Sequence, residues 1–162
     1  MSKAKLLAAT VGGSADHIEA QFYEALQTGD IEKLMACWAD EDDIVCVHPG
    51  GPRLIGNASI RAAFEAMFAN GTIAARPEHV CKVESLTSAM HNVQERIALL
   101  TTDGTQEAVV VATNVYQRTP QGWRMVAHHA SPGSAQAIPR HTKTRRFCID
   151  LELPCALVVA GR

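Results

Sequence analysis

Residues 92–130, NVQERIALLTTDGTQEAVVVATNVYQRTPQGWRMVAHHA, alternate apolar and polar positions with a period of two. Three runs carry that period: 92–102, 107–118 and 123–130. It is the pattern of strands with one face buried. Asp103-Gly104 joins the first two runs through a strong hairpin turn, and Pro120-Gln121-Gly122 joins the second to the third. The runs are therefore antiparallel neighbours in a meander, and residues 79–86 read as a strand before them.

Upstream the period is helical. Ser14 is a good N-cap, and Asp16 suits the first turn of a helix whose stripe is Ile18, Phe22, Ala25 and Leu26. Gly29 stands where a C-cap belongs, and Asp30 caps a short second helix with Ile31, Leu34, Met35 and Trp38 facing in. Residues 44–48 form a β-rich segment stopped by Pro49-Gly50-Gly51-Pro52. Asn57 is read as the cap of a third helix, with Ile60, Ala63, Phe64, Met67 and Phe68 inward and Asn70-Gly71 at its end.

Helices first and a long antiparallel sheet after them is an α+β arrangement. A sheet of this length curls strongly. Three N-terminal helices cover one face of it, forming a cone around a central cavity. The other face still carries Val109, Val111 and Val115 opposite the Ala108, Val110 and Ala112 set. A strand apolar on both faces implies burial on both, and a homodimer through the sheet face is the simplest way to provide it.

Composition bounds the function. The chain has 162 residues, 47% hydrophobic and 20% charged, with a formal net charge of -2. That suits one globular domain and offers no electrostatic footprint for nucleic acid or an anionic membrane. No apolar run reaches the length of a membrane span. The five cysteines are odd in number and scattered, so neither a disulfide framework nor a structural zinc site is indicated. The apolar stretch 6–11 is shorter than the core of a signal peptide, so the expected compartment is the cytoplasm. Residues 1–13 read as a leader and 14–132 as the cone domain. Residues 133–162 read as an extension, with a basic run at 140–146 and an alternating, strand-like run at 147–153. It would add an edge strand or reach across a dimer.

Three segments carry a family resemblance: FYEALQTGDIEKLMACWADEDDIVCVHPGG at 22–51, LIGNASIRAAFEAMF at 54–68 and TNVYQRTPQGWRMVAHHASP at 113–132. Their order resembles the nuclear transport factor 2-like superfamily, and most closely its SnoaL-like branch. The resemblance implies a cone that holds a small-molecule ligand. That superfamily spans isomerases, cyclases, dehydratases, hydrolases, assembly domains and carrier-binding proteins, so it does not choose among them.

His48, just before Pro49-Gly50-Gly51, matches the position that holds the carboxylate base in the ketosteroid isomerase-like members. An imidazole can do the same proton transfer near neutral pH. The oxyanion-donor tyrosine of those members matches Phe22, with Tyr23 about 100° further round the helix. Their second donor lies on the strand where Asn114 stands. A steroid-isomerase reading is therefore not adopted.

Pleat geometry puts His128 and His129 on opposite faces. His129 is placed in the cavity, because Trp123, Met125 and Ala127 on its face are the more apolar set. Glu95 shares a face with Val93, Ile97 and Leu99. If it points inward it needs His129, His48 or Asn114 as a partner; if outward, Arg124 or Arg118 across a dimer. The catalytic candidates are His48, Glu95 and His129. Tyr23, Trp38, Phe64, Asn114, Tyr116 and Trp123 are the expected ligand contacts. His48, His129 and Glu95 are types that suit zinc or iron, but their spacing carries no ligand signature, so neither metal nor cofactor is expected. Cys46 lies two residues before His48, a conceivable nucleophile pair with no third orienting group. The leading expectation is acid–base isomerisation, cyclisation or dehydration of a small apolar molecule. The alternative is a non-catalytic ligand-binding or dimeric assembly domain.

Overall fold

A computed structural model describes residues 13–101 and 104–134. The leader before Gly13, Asp103 of the hairpin turn and the extension beyond Ser134 lie outside the described residues. Helix α1 is Ala15–Thr28 and α2 is Ile31–Ala36. Ser14 accepts a hydrogen bond from His17 N, and Asp30 accepts one from Lys33 N. Between the two helices Gly29 adopts φ 69°, a left-handed conformation that costs other residues.

Strand β1 (Val45–Val47) follows, then β2 (Arg53–Ile55) and helix α3 (Gly56–Phe68). The three-residue β2 is not anticipated by the sequence reading. Its pairing with β1 across the Pro-Gly turn carries the chain into α3. The third helix does not use Asn57 as its cap. It starts at Gly56, after Ile55, with no side-chain cap. The Asn57 amide instead donates to the carbonyl of Ala39 at 3.0 Å, tying α3 to the end of the α2 segment.

Four long strands follow among the described residues: β3 (Ala75–Glu84), β4 (Ser88–Thr101), β5 (Gly104–Thr119) and β6 (Gly122–Pro132). The six-stranded order is β2-β1-β6-β5-β4-β3. The meander is antiparallel throughout, and β1 joins β6 in parallel. Strand β3 starts four residues earlier than its alternation suggests. A bulge lies between Glu78 and Cys81, and His79 has φ 48°. Such an extra residue breaks the period of two. Pro77 is tolerated there because β3 is an edge strand.

The helices lie on one face of the sheet. Ile18, Phe22, Tyr23 and Leu26 from α1 meet Leu34, Trp38, Ile60 and Phe64, and beneath them Cys46, Val93, Tyr116 and Met125 from the strands. Val109, Val111 and Val115, on the opposite face, are half-buried. This is the α+β cone. Among the described residues no helix is long and apolar enough to cross a membrane.

Candidate active site

The inner face of the cone is not wholly apolar. Five polar or charged residues are buried there: Glu19, His91, Glu95, Asn114 and His128. Glu19 and Tyr23 lie one turn apart on α1 and so share its inward stripe. His91, Val93 and Glu95 alternate onto the inner face of β4, as Asn114 and Tyr116 do on β5.

These groups satisfy one another. The Tyr23 hydroxyl donates to Glu95 Oε1 at 2.7 Å. The Tyr116 hydroxyl donates to Glu19 Oε2 at 3.1 Å, and His91 Nδ1 lies 2.9 Å from the same oxygen. The Asn114 amide nitrogen is 3.5 Å from both Glu19 Oε2 and the Tyr23 hydroxyl. Asn114 Oδ1 therefore faces the other way, 2.7 Å from His128 Nδ1 across the β5–β6 pair. An amide oxygen only accepts, so His128 carries its proton on Nδ1 and leaves Nε2 as a bare lone pair.

Burial sets the protonation states. It holds the His128 imidazole at about 3, aided by the nearby His48 and His129 rings, so the ring is neutral. Burial raises the Glu95 carboxyl; the Tyr23 hydrogen bond lowers it, and the charge of Glu19 raises it further. Tyr23 and Tyr116 are pushed far above the ordinary phenol range, first by burial and then by the carboxylates beside them, so both remain O–H donors.

His48 stands at the end of β1, half-buried. Its ring meets the edge of Phe64 at 4.9 Å between centroids and lies 6.2 Å from the His128 ring. Desolvation lowers its pKa, so it is a neutral base at neutral pH. Its Nε2 has the Cys46 sulfur at 3.7 Å, a weak contact. Burial pushes the Cys46 thiol up to about 12. The thiolate that a Cys–His nucleophile pair requires is thus disfavoured.

Two expectations are corrected. His129 is exposed, and His128 takes the interior place. The cause is a bulge: Val115 pairs with Ala127 and Tyr116 with Met125, so Val126 is an extra residue. One extra residue transfers every later side chain to the other face. Glu95 does point inward, but its partner is Tyr23 rather than His129, His48 or Asn114. The set His48, Glu95 and His129 is consequently not brought together, whereas His48 and His128 are neighbours.

The expected ligand contacts divide. Phe64 flanks His48, and Asn114 and Tyr23 sit in the polar cluster. Tyr116 is fully buried with its hydroxyl committed to Glu19. Trp38 is a core residue that bridges to Met125, and Trp123 is partly buried against the core. Sequence reasoning missed Glu19 and His91. The signal for Glu19 is its place on the stripe with Ala15, Ile18 and Phe22. That for His91 is its place two residues before Val93, outside a strand read as starting at Asn92. Among the described residues, one group gathers metal-ligating atoms: Asp16, Glu84 and His91.

The sequence profile of the SnoaL-like domain matches residues 16–135. Among solved structures, the chain is similar to a Thiobacillus denitrificans protein named for the association domain of calcium/calmodulin-dependent protein kinase type II. The identity is 32% and the TM-score 0.69, over 76% of this chain and 98% of that one. It is equally similar to a Streptomyces avermitilis protein named as a dehydratase of the nuclear transport factor 2-like family. There the identity is 32% and the TM-score 0.68, over 78% of this chain and 98% of that one. A cystatin-like protein of Novosphingobium aromaticivorans shares the fold at 20% identity and TM-score 0.65, over 83% of this chain and 89% of that one. No curated protein matches the sequence significantly.

Proposed function

The chain belongs to the SnoaL-like domain family, and from that premise we propose that it binds a small, largely apolar organic molecule in its cone and performs acid–base chemistry on it. The reaction class is isomerisation, cyclisation or dehydration. His48 is the general base: it takes a proton from a substrate carbon and returns it to a neighbouring position or to a departing hydroxyl. The Asn114 amide, whose contacts to Glu19 and Tyr23 are long at 3.5 Å, is the donor to the substrate oxygen where negative charge develops, and the Tyr23–Glu95 bond positions it. His128, fixed by Asn114, positions the His48 side of the site.

The observation that carries this reading is the state of His48. It is a neutral imidazole on an apolar wall, its ring nitrogens free of oxygen or nitrogen partners among the described residues. The similarity to the protein named as a dehydratase supports the same class. The unpaired cysteines Cys37, Cys46 and Cys81 fit action in a reducing cytoplasm.

Native mass spectrometry of the purified protein tests the proposal, by the mass of a retained small molecule and by oligomer size. Against the compound so identified, His48→Ala is expected to lower turnover at least about a hundredfold while the circular dichroism spectrum and melting temperature hold. Unchanged turnover would remove His48 from the base role.

A second reading, a dimeric assembly domain, draws on two observations. The interior polar groups bond to one another, and the first similar structure is named for an association domain. The half-buried valines at 109, 111 and 115 would then form the dimer face. A dimer of bare polypeptide mass, with no ligand on any preparation, would favour it.

A further inference from the structure

His91 lies on β4 where the first turn of α1 meets the end of β3. Its side chain is 0% exposed. Nδ1 faces Glu19 Oε2 at 2.9 Å. A carboxylate accepts, so Nδ1 carries a proton, and Nε2 points the other way. There Nε2 is buried without a hydrogen-bond partner. It faces Glu84 Oε1 at 3.5 Å and Asp16 Oδ1 at 3.7 Å. The three ligand-type atoms lie within 4.8 Å of one another, and no hydrogen-bond partner reaches Nε2 among the described residues.

We propose that Asp16, Glu84 and His91 form a site for a divalent transition-metal cation, with zinc the best fit. The donor set is one imidazole and two carboxylates, a borderline set that zinc accepts. Tetrahedral zinc with bonds of roughly 2.0–2.2 Å places its ligand atoms roughly 3.3–3.6 Å apart. The observed 3.5 Å falls within that edge length, 3.7 Å lies just outside it, and all three atoms lie within 4.8 Å of one another, so a small inward shift of the carboxylates closes the site. Both distances are too long for direct N–H···O hydrogen bonds, although both carboxylates are more than half exposed and free to close. Glu19 completes the arrangement as the carboxylate behind the imidazole, fixing its tautomer and raising its basicity. Water would fill the fourth position on the exposed side. Lys82 Nζ, 2.5 Å from Asp16 Oδ1, is a cation already beside the site and competes for that oxygen.

The test is a titration of the full-length protein with Co2+, followed by visible absorption and reversed by Zn2+. One saturable equivalent is expected. Asp16→Asn and Glu84→Gln, both at exposed positions, are each expected to weaken binding at least about tenfold. Lys82→Met is expected to strengthen it several-fold, because a neighbouring positive charge is removed. No saturable binding, or a smaller loss in either carboxylate variant, would overturn the site. Unchanged or weaker binding by the Lys82 variant would do the same, since the cation would then sit elsewhere. The readout is independent of any reaction in the cone.

Discussion

Acid is expected to unfold this protein well before its exposed carboxylates alone would require. The native state holds the His128 imidazole at about 3, chiefly through burial, whereas in the unfolded chain it returns to its ordinary 6.5. Between those values the unfolded state binds a proton that the native state does not. Stability therefore falls as pH is lowered, by roughly 1.4 kcal/mol per pH unit at most, approaching roughly 4–5 kcal/mol near pH 3. His48, lowered in the same direction, adds to the fall. Glu95 opposes it. Its carboxyl is raised, so its contribution is full below its ordinary value and is lost as pH rises through the raised one. Urea unfolding of wild type and His128→Gln at several pH values between 4 and 7 isolates the imidazole. The variant's stability should depend on pH about 1 kcal/mol per unit less steeply. Parallel curves would show that His128 protonates as easily in the native state as in the unfolded one.

The second large effect is expected at Glu19. Its Oε2 takes the Tyr116 hydroxyl, the His91 ring nitrogen and, at longer range, the Asn114 amide. Glu19→Ala leaves those donors buried without an acceptor and opens a cavity, at a cost of roughly 3–5 kcal/mol. Tyr116→Phe removes one hydroxyl and one bond, and is expected to cost only about 1 kcal/mol. Glu19→Gln should lie between, because the amide oxygen still accepts. Urea denaturation orders the three. An alanine variant within about 1 kcal/mol of wild type would mean that the cluster does not depend on its central carboxylate.

The helical half of the molecule was legible at its ends. Ser14, Gly29 and Asp30 each act through hydrogen bonds to the nearby backbone, and those depend on a few adjacent residues. The meander was legible because alternation and turn residues agree. What escaped the sequence was long-range. The bulge at Val126 leaves no mark in a run of apolar and polar residues, yet it exchanges His128 for His129. The Asn57 cap failed because a tertiary partner, the Ala39 carbonyl, claimed the amide. Glu19 and His91 read as ordinary polar positions until strands 72 residues away supply their partners. Glu95 and Asn114 stood among the sequence candidates, but the bonds that tie them into one cluster run through Tyr23 and Glu19 on α1.

The central claim is that His48 faces the interior as a neutral, accessible base beside a tautomerically locked His128. Long-range proton–nitrogen correlation spectra of the imidazole rings across pH test it most directly. The account expects His128 as the Nδ1–H tautomer, still neutral at pH 4, and a His48 midpoint below its ordinary 6.5. A His48 ring that titrates at 6.5 or above, like a solvated imidazole, would contradict it.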